Sequence, residues 1–196
     1  MAVSKEQEIK VEAIKSLKEI RRITANLSGH PRNLALFVVG INTNFRASDL
    51  LKIKVGDVRY LKAGQHFTSK EQKTGKERFT TINEPAYEAI KALLATMPNA
   101  KHDEPLFQSR KGDGVNGKGL SVPTFSVMVK EWCGHLRGNY GSHSLRKTFG
   151  YIQRTVFGVD IPTLMQVFNH SSQKQTLAYL GIQATEIKAV YMNSIK

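Results

Sequence analysis

The stretch His143-Ser144-Leu145-Arg146, followed by Asn169-His170 and then Thr176-Leu177-Ala178-Tyr179-Leu180-Gly181, is the most informative part of this chain. His143 and Arg146 are three residues apart, so a helix through them projects both side chains to one side. Gly141 and Ser142 read as a turn and a helix start, which places His143 near a helix N-terminus. A second histidine, and a tyrosine nine residues beyond it, complete a set of groups suited to holding anions and moving protons. Helices are expected at 144–157, 161–168 and 173–180, so these groups fall on a succession of short helices.

Working outward, further helices are expected at 124–136 and 185–195. Near the start, Ser4-Lys5-Glu6-Gln7 reads as a capping box, with Ile9, Ala13, Leu17 and Ile20 following at helical spacing. Gly29 and Pro31 stop that helix and start another through 34–39, and a short helix is expected over 47–52. Then the pattern changes: 58–60, 65–69 and 78–82 read as short strands, with a basic turn over 70–77 joining the latter two. Pro85 opens another helix to about residue 95. The segment 112–119 holds four glycines in eight residues and reads as a loop. It is no phosphate cradle, because no strand leads into it and no GK[ST] follows. The expected fold is mainly α with a small, three-stranded antiparallel sheet, in one domain without repeats.

Charge narrows the partners independently. In 196 residues there are 29 lysines and arginines against 16 acidic residues, a net +13 spread through the chain instead of gathered in a tail. A folded basic face of this kind favours a polyanion, nucleic acid before an acidic membrane surface. The longest apolar stretch, 34–41, is far short of the roughly 20 residues that span a bilayer, so no membrane insertion is expected. The N-terminal Met1-Ala2-Val3-Ser4-Lys5-Glu6 has no apolar core of an export signal. A single cysteine, Cys133, excludes an internal disulfide framework and fits a reducing cytoplasm, where it reads as a buried filler. No carboxylate cluster or Cys/His ligand set stands out, so neither metal nor cofactor is expected.

Taken together, the motifs resemble the closing boxes of the tyrosine recombinases, the phage-integrase family. A further arginine lies upstream in Asn44-Phe45-Arg46-Ala47-Ser48-Asp49-Leu50-Leu51, similar to the family's arginine followed by Ser-Asp/Glu-Leu. His143-Ser144-Leu145-Arg146-Lys147 is similar to its histidine-x-leucine-arginine box. His170 stands in a version of its glycine-histidine-serine box, with Asn169 in place of glycine; asparagine also tolerates the left-handed conformation. Lys73-Thr74-Gly75-Lys76-Glu77-Arg78 resembles its lysine-bearing turn, with Lys73 in the first place and Lys70 and Lys76 as rivals. Tyr140, Tyr151 and Tyr191 compete with Tyr179, but the step from His170 suits Tyr179.

The resemblance implies a catalytic set of Arg46, Lys73, His143, Arg146, His170 and Tyr179, with Lys70, Lys76, Arg78 and Lys147 contacting DNA. The chemistry explains the residue types. A phenol with a reference pKa of about 10 is a poor nucleophile at neutral pH unless basic neighbours take its proton or steady the phenolate. Paired arginines grip the phosphate where charge grows, and histidines titrate near neutrality. Asp49 is placed to orient Arg46 or to form an ordinary surface pair. The implied activity is site-specific cleavage and rejoining of double-stranded DNA through a 3′-phosphotyrosyl intermediate, without metal or ATP. The alternative is an inactive, integrase-derived DNA-binding protein. The whole of 1–196 is expected to be one catalytic domain with a tail helix at about 184–196 and no separate core-binding domain, either a minimal recombinase or a fragment. A monomer when free and a homo-tetramer on DNA are implied. The tail's Ile187, Val190, Tyr191 and Ile195 form a stripe that needs cover from its own domain or a neighbour.

Overall fold

A computed structural model of the chain describes residues 11–70, 77–109, 118–181 and 192. Its helices are α1 (Leu17–Asn26), α2 (Pro31–Asn42), α3 (Ala47–Leu50), α4 (Val55–Val58), α5 (Glu84–Ala95), α6 (Val122–Trp132), α7 (Ser142–Thr155), α8 (Ile161–Phe168) and α9 (Gln173–Leu180). Between α4 and α5, β1 (His66–Lys70) and β2 (Glu77–Thr81) pair antiparallel with Thr68 opposite Phe79. The fold is mostly helical, as expected.

Two expectations from the sequence are corrected. The segment 58–60 is no strand, and among the described residues the sheet has two strands, not three. Val55 and Val58, one turn apart, are buried together, and the Asp57 carboxylate folds back to accept from the Lys54 backbone N–H at 2.8 Å. That local cap makes a helical turn the cheaper use of the backbone donors. The long first helix also starts later than its apolar spacing suggests, because 11–16 is not helical. There the Glu12 N–H donates to the Asn139 carbonyl at 2.8 Å, and the Ile14 N–H donates to Thr148 Oγ1 at 2.8 Å. Tertiary partners take the donors a helix would have used, and Ser16 caps α1 instead. The proposed capping box at 4–7 and the tail 184–196, Met192 apart, lie outside the described residues.

The core is built on α2, which packs against α5 on one side and α7 on another. Leu36, Phe37 and Val39 are wholly buried, and burying each such side chain contributes about 1.5–3 kcal/mol. Contact between α2 and α7 is close: a Cβ on Gly40 would lie 2.7 Å from the Leu145 side chain. A smaller cluster of Leu164, Phe168 and Leu180 joins α8 and α9, with Phe149 and Tyr151 of α7 packed against it. Gly150 permits that approach, since its Cβ would stand 2.5 Å from the Phe168 ring and 2.7 Å from Leu180. Cys133 is buried as expected, and burial pushes its thiol up to about 11. Among the described residues, no helix is long and apolar enough to cross a membrane.

Candidate active site

Gly141 caps α7 in extended backbone and passes its N–H to Ser144 Oγ at 3.1 Å, so the helix begins where the sequence placed it. His143 therefore stands exposed in the first turn, and Arg146, one turn on, points inward and is only 6 % exposed. A buried guanidinium needs acceptors. The Arg146 Nε donates to Asn44 Oδ1 at 2.9 Å, one of its Nη atoms donates to the Phe168 carbonyl at 3.3 Å, and its cation lies 5.3 Å above the Phe168 ring.

Phe168 is the platform of the site. It closes α8, and Asn169 follows at φ 56°, a left-handed cap whose N–H and that of His170 return to the carbonyls of Gln166 and Met165. The substitution of asparagine for glycine in this box thus keeps the backbone turn. The reversal lays the His170 imidazole on the Phe168 ring at 5.2 Å, nearly parallel. Helix α9 returns Tyr179 against the same ring at 5.2 Å and against His170 edge-on at 5.4 Å. Thr176, fully buried one turn before Tyr179, shares a 2.9 Å hydrogen bond with His170 Nδ1. Lys147 sets its ammonium 5.1 Å over the Tyr179 ring. The Tyr179 hydroxyl is buried and has no hydrogen-bond partner among the described residues.

Arg46 sits at the start of α3, and its guanidinium is 3.8 Å from the Asp49 carboxylate, the partner expected one turn along. Two residues earlier, Asn44 brings this corner to Arg146. Four of the six residues singled out by sequence, Arg46, Arg146, His170 and Tyr179, thereby share one electrostatic environment. Burial first, then Arg146 and Arg46, hold the His170 imidazole below its usual pKa, which favours its neutral form. Burial raises the Tyr179 phenol above its usual value, while Arg146 and Arg46 pull the other way.

Of the other two, His143 is exposed in the first turn of α7 and Lys73 lies outside the described residues. Lys70 ends β1 opposite Glu77 and Arg78 pairs with Ser69, while Lys76, like Lys73, lies outside the described residues. Sequence reading missed Asn44, Phe168 and Thr176. Each is an ordinary residue type whose role depends on a partner far along the chain, although Asn44 and Thr176 stood within the quoted motifs. Among the described residues, no cluster of three or more His, Cys, Asp or Glu side chains is arranged to hold a metal.

Comparison with known proteins identifies the family of the whole chain. The sequence model described as the Phage integrase family matches residues 13–186. The probable integrase/recombinase YoeC of Bacillus subtilis is 33% identical over 185 residues, covering 92% of this chain and 95% of YoeC. The crystal structure of XerA recombinase superposes with a TM-score of 0.72 at 20% identity, covering 98% of this chain and 66% of that one. XerH site-specific recombinase, solved in a post-cleavage complex with a palindromic difH substrate, gives a TM-score of 0.72 at 18% identity, covering 98% of this chain and 56% of that one. This chain therefore spans nearly all of YoeC and between half and two thirds of the two solved chains.

Proposed function

This chain belongs to the phage integrase family, and from that membership we propose that it cleaves and rejoins double-stranded DNA at a specific site with Tyr179 as the nucleophile. The observation that carries the reading is the gathering of Arg146, His170 and Tyr179 around Phe168, with the charge of Arg46 reaching both the phenol and the imidazole. XerH, of the same fold, was captured on its DNA after cleavage, which supports duplex DNA as the partner here.

In the proposed reaction, Arg46 and Arg146 grip the non-bridging oxygens of the scissile phosphate, where their fixed charge meets the growing negative charge. The Tyr179 oxygen attacks phosphorus, the bond to the 5′-oxygen breaks, and a 3′-phosphotyrosyl bond forms. Neutral His170 is suited to accept the phenolic proton, and Lys73, between β1 and β2 in sequence, protonates the departing 5′-oxygen. His143, exposed in the first turn of α7, donates to the phosphate. Lys70, Lys76, Arg78 and Lys147 contact the DNA backbone. A 5′-hydroxyl then attacks the phosphotyrosine and restores both the diester and the phenol. The bond energy is conserved in the covalent intermediate, so the cycle requires no ATP.

We further propose that residues 1–196 act as one catalytic domain, monomeric when free and tetrameric across two duplexes. The stripe at Ile187, Val190, Tyr191 and Ile195 then docks on a neighbouring subunit, and the protein works in the cytoplasm on nucleoid DNA.

The test is covalent capture. The chain is incubated with a pool of nicked duplexes of randomised sequence, in the presence of chelator, and denatured. Expected is a protein–DNA adduct that Tyr179→Phe abolishes and Tyr191→Phe retains, with non-covalent DNA retention equal in both. Adduct formation by Tyr179→Phe, or a strict need for magnesium, overturns the mechanism. Retention without any adduct from the unaltered chain identifies an inactive DNA-binding relative instead.

A further inference from the structure

We infer that Asn44 is a positioning residue that aims the Arg146 guanidinium at the phosphate. The inference rests on the role proposed above for Arg146. Asn44 is wholly buried, with its backbone at φ 54°, in the left-handed region. Glycine meets that conformation at lowest cost, and asparagine is the side-chain-bearing residue that tolerates it best. What asparagine adds over glycine is therefore its amide, and both ends of that amide are used. Oδ1 accepts from Arg146 Nε at 2.9 Å, and Nδ2 donates to the Val167 carbonyl at 2.8 Å. The orientation of the amide follows from its partners, since a guanidinium only donates and a carbonyl only accepts.

Three consequences follow from these two bonds. The amide ties α7, which carries Arg146, to the end of α8, from which His170 is hung. It does so from a position two residues before Arg46, so the corner bearing one arginine orients the other. Finally, the partner is a neutral amide and not a carboxylate, so this bond directs the cation without cancelling its charge. With Phe168 accepting at 3.3 Å from an Nη of the same guanidinium, Arg146 is held at two points by uncharged oxygens.

The experiment uses the intact chain and duplexes recovered as adducts from the randomised pool. Asn44→Gly keeps the backbone conformation and removes the amide. Expected is a loss of adduct rate of about tenfold to a hundredfold, the size of effect that a small misplacement of a reacting group produces, with non-covalent retention within about twofold. The discriminating readout is the same change in an Arg146→Lys background, where the bond donated by Arg146 Nε to Asn44 Oδ1 no longer exists. There Asn44→Gly is expected to slow the reaction by no more than about twofold, because a positioning residue acts through its partner.

An unchanged adduct rate for Asn44→Gly overturns the inference, as does a full multiplicative loss in the Arg146→Lys background. If Arg146→Lys alone reacts at the unaltered rate, the role of Arg146 falls first and this inference with it. Should Asn44→Gly fail to fold, Asn44→Asp carries the test: it keeps the acceptor but lays a negative charge on the guanidinium. It is then expected to slow cleavage of an ordinary phosphate more than of a neutral methylphosphonate at the scissile position. Equal slowing on the two substrates overturns the inference.

Discussion

His170 and Tyr179 touch each other and are shifted in opposite directions by the same burial. His170 resists protonation, chiefly because burial penalises the imidazolium and secondarily because Arg146 and Arg46 repel it. In the unfolded chain the same imidazole takes its proton near its ordinary pKa of 6.5. As pH falls through about 6.5, the unfolded state binds the proton first, so folding stability declines with acid. Tyr179 behaves in the mirror sense: the folded phenol holds its proton above 10, where the unfolded phenol gives it up, so stability also declines in alkali. Denaturant titrations across pH check this. His170→Gln is expected to flatten the acid limb, and Tyr179→Phe the alkaline limb. A steeper acid limb in His170→Gln would reverse the sign of the argument.

At the scale of the element, the site is a problem of how closely three helices approach. Helix α7 carries Arg146 and Lys147, while α8 and α9 carry the platform and the phenol and the link between them carries the imidazole. Gly150 is the position at which α7 admits the other two, because a Cβ there meets Phe168 and Leu180 at 2.5 and 2.7 Å. Gly150→Ala gains helix propensity but must push rigid aromatic and aliphatic groups aside, so a net destabilisation of about 1–3 kcal/mol is expected. The displaced partners are Phe168, on which His170 and Tyr179 rest, and Leu180, next to Tyr179. Adduct formation is therefore expected to fall more than non-covalent DNA retention. The two are read side by side by denaturing gel and filter binding, and an equal loss of both would place the effect on overall stability alone.

At the scale of the whole molecule, the net +13 is the feature that acts over distance. A duplex releases condensed counterions as phosphates are neutralised, so an interface with 6–10 phosphate contacts loses about a thousandfold or more in affinity between 50 and 200 mM salt. A loss of that order is expected for the intact chain, read by fluorescence anisotropy with a labelled duplex. Lys70→Ala is expected to reduce the slope of log affinity against log salt by about one, without changing which sequences are recovered as adducts. A salt-independent affinity would mean that the basic surface lies away from the bound DNA.

Local physics alone made much of this molecule readable. The boundaries of α8 and α9 follow from nearby signals, namely Asp160 and Ser172 capping their first turns and Asn169 and Gly181 ending them in left-handed backbone. The tyrosine, the second histidine and the two arginines were legible because their order and spacing resemble the family's boxes, and their residue types suit phosphate chemistry. Where tertiary contacts compete with local preference, the sequence misleads. Residues 11–16 have helical spacing, yet donate to Asn139 and Thr148 instead, and 58–60 looks extended although Asp57 closes a helical turn just before it. The arrangement of the site likewise belongs to the fold. Asn44 and Arg146 are 102 residues apart, and no local pattern announces that one will hold the other. The left-handed turn at Asn44, the closeness that Gly150 allows and the ring of Phe168 determine that arrangement. Each exerts its effect through a partner that the chain reaches only once it has folded.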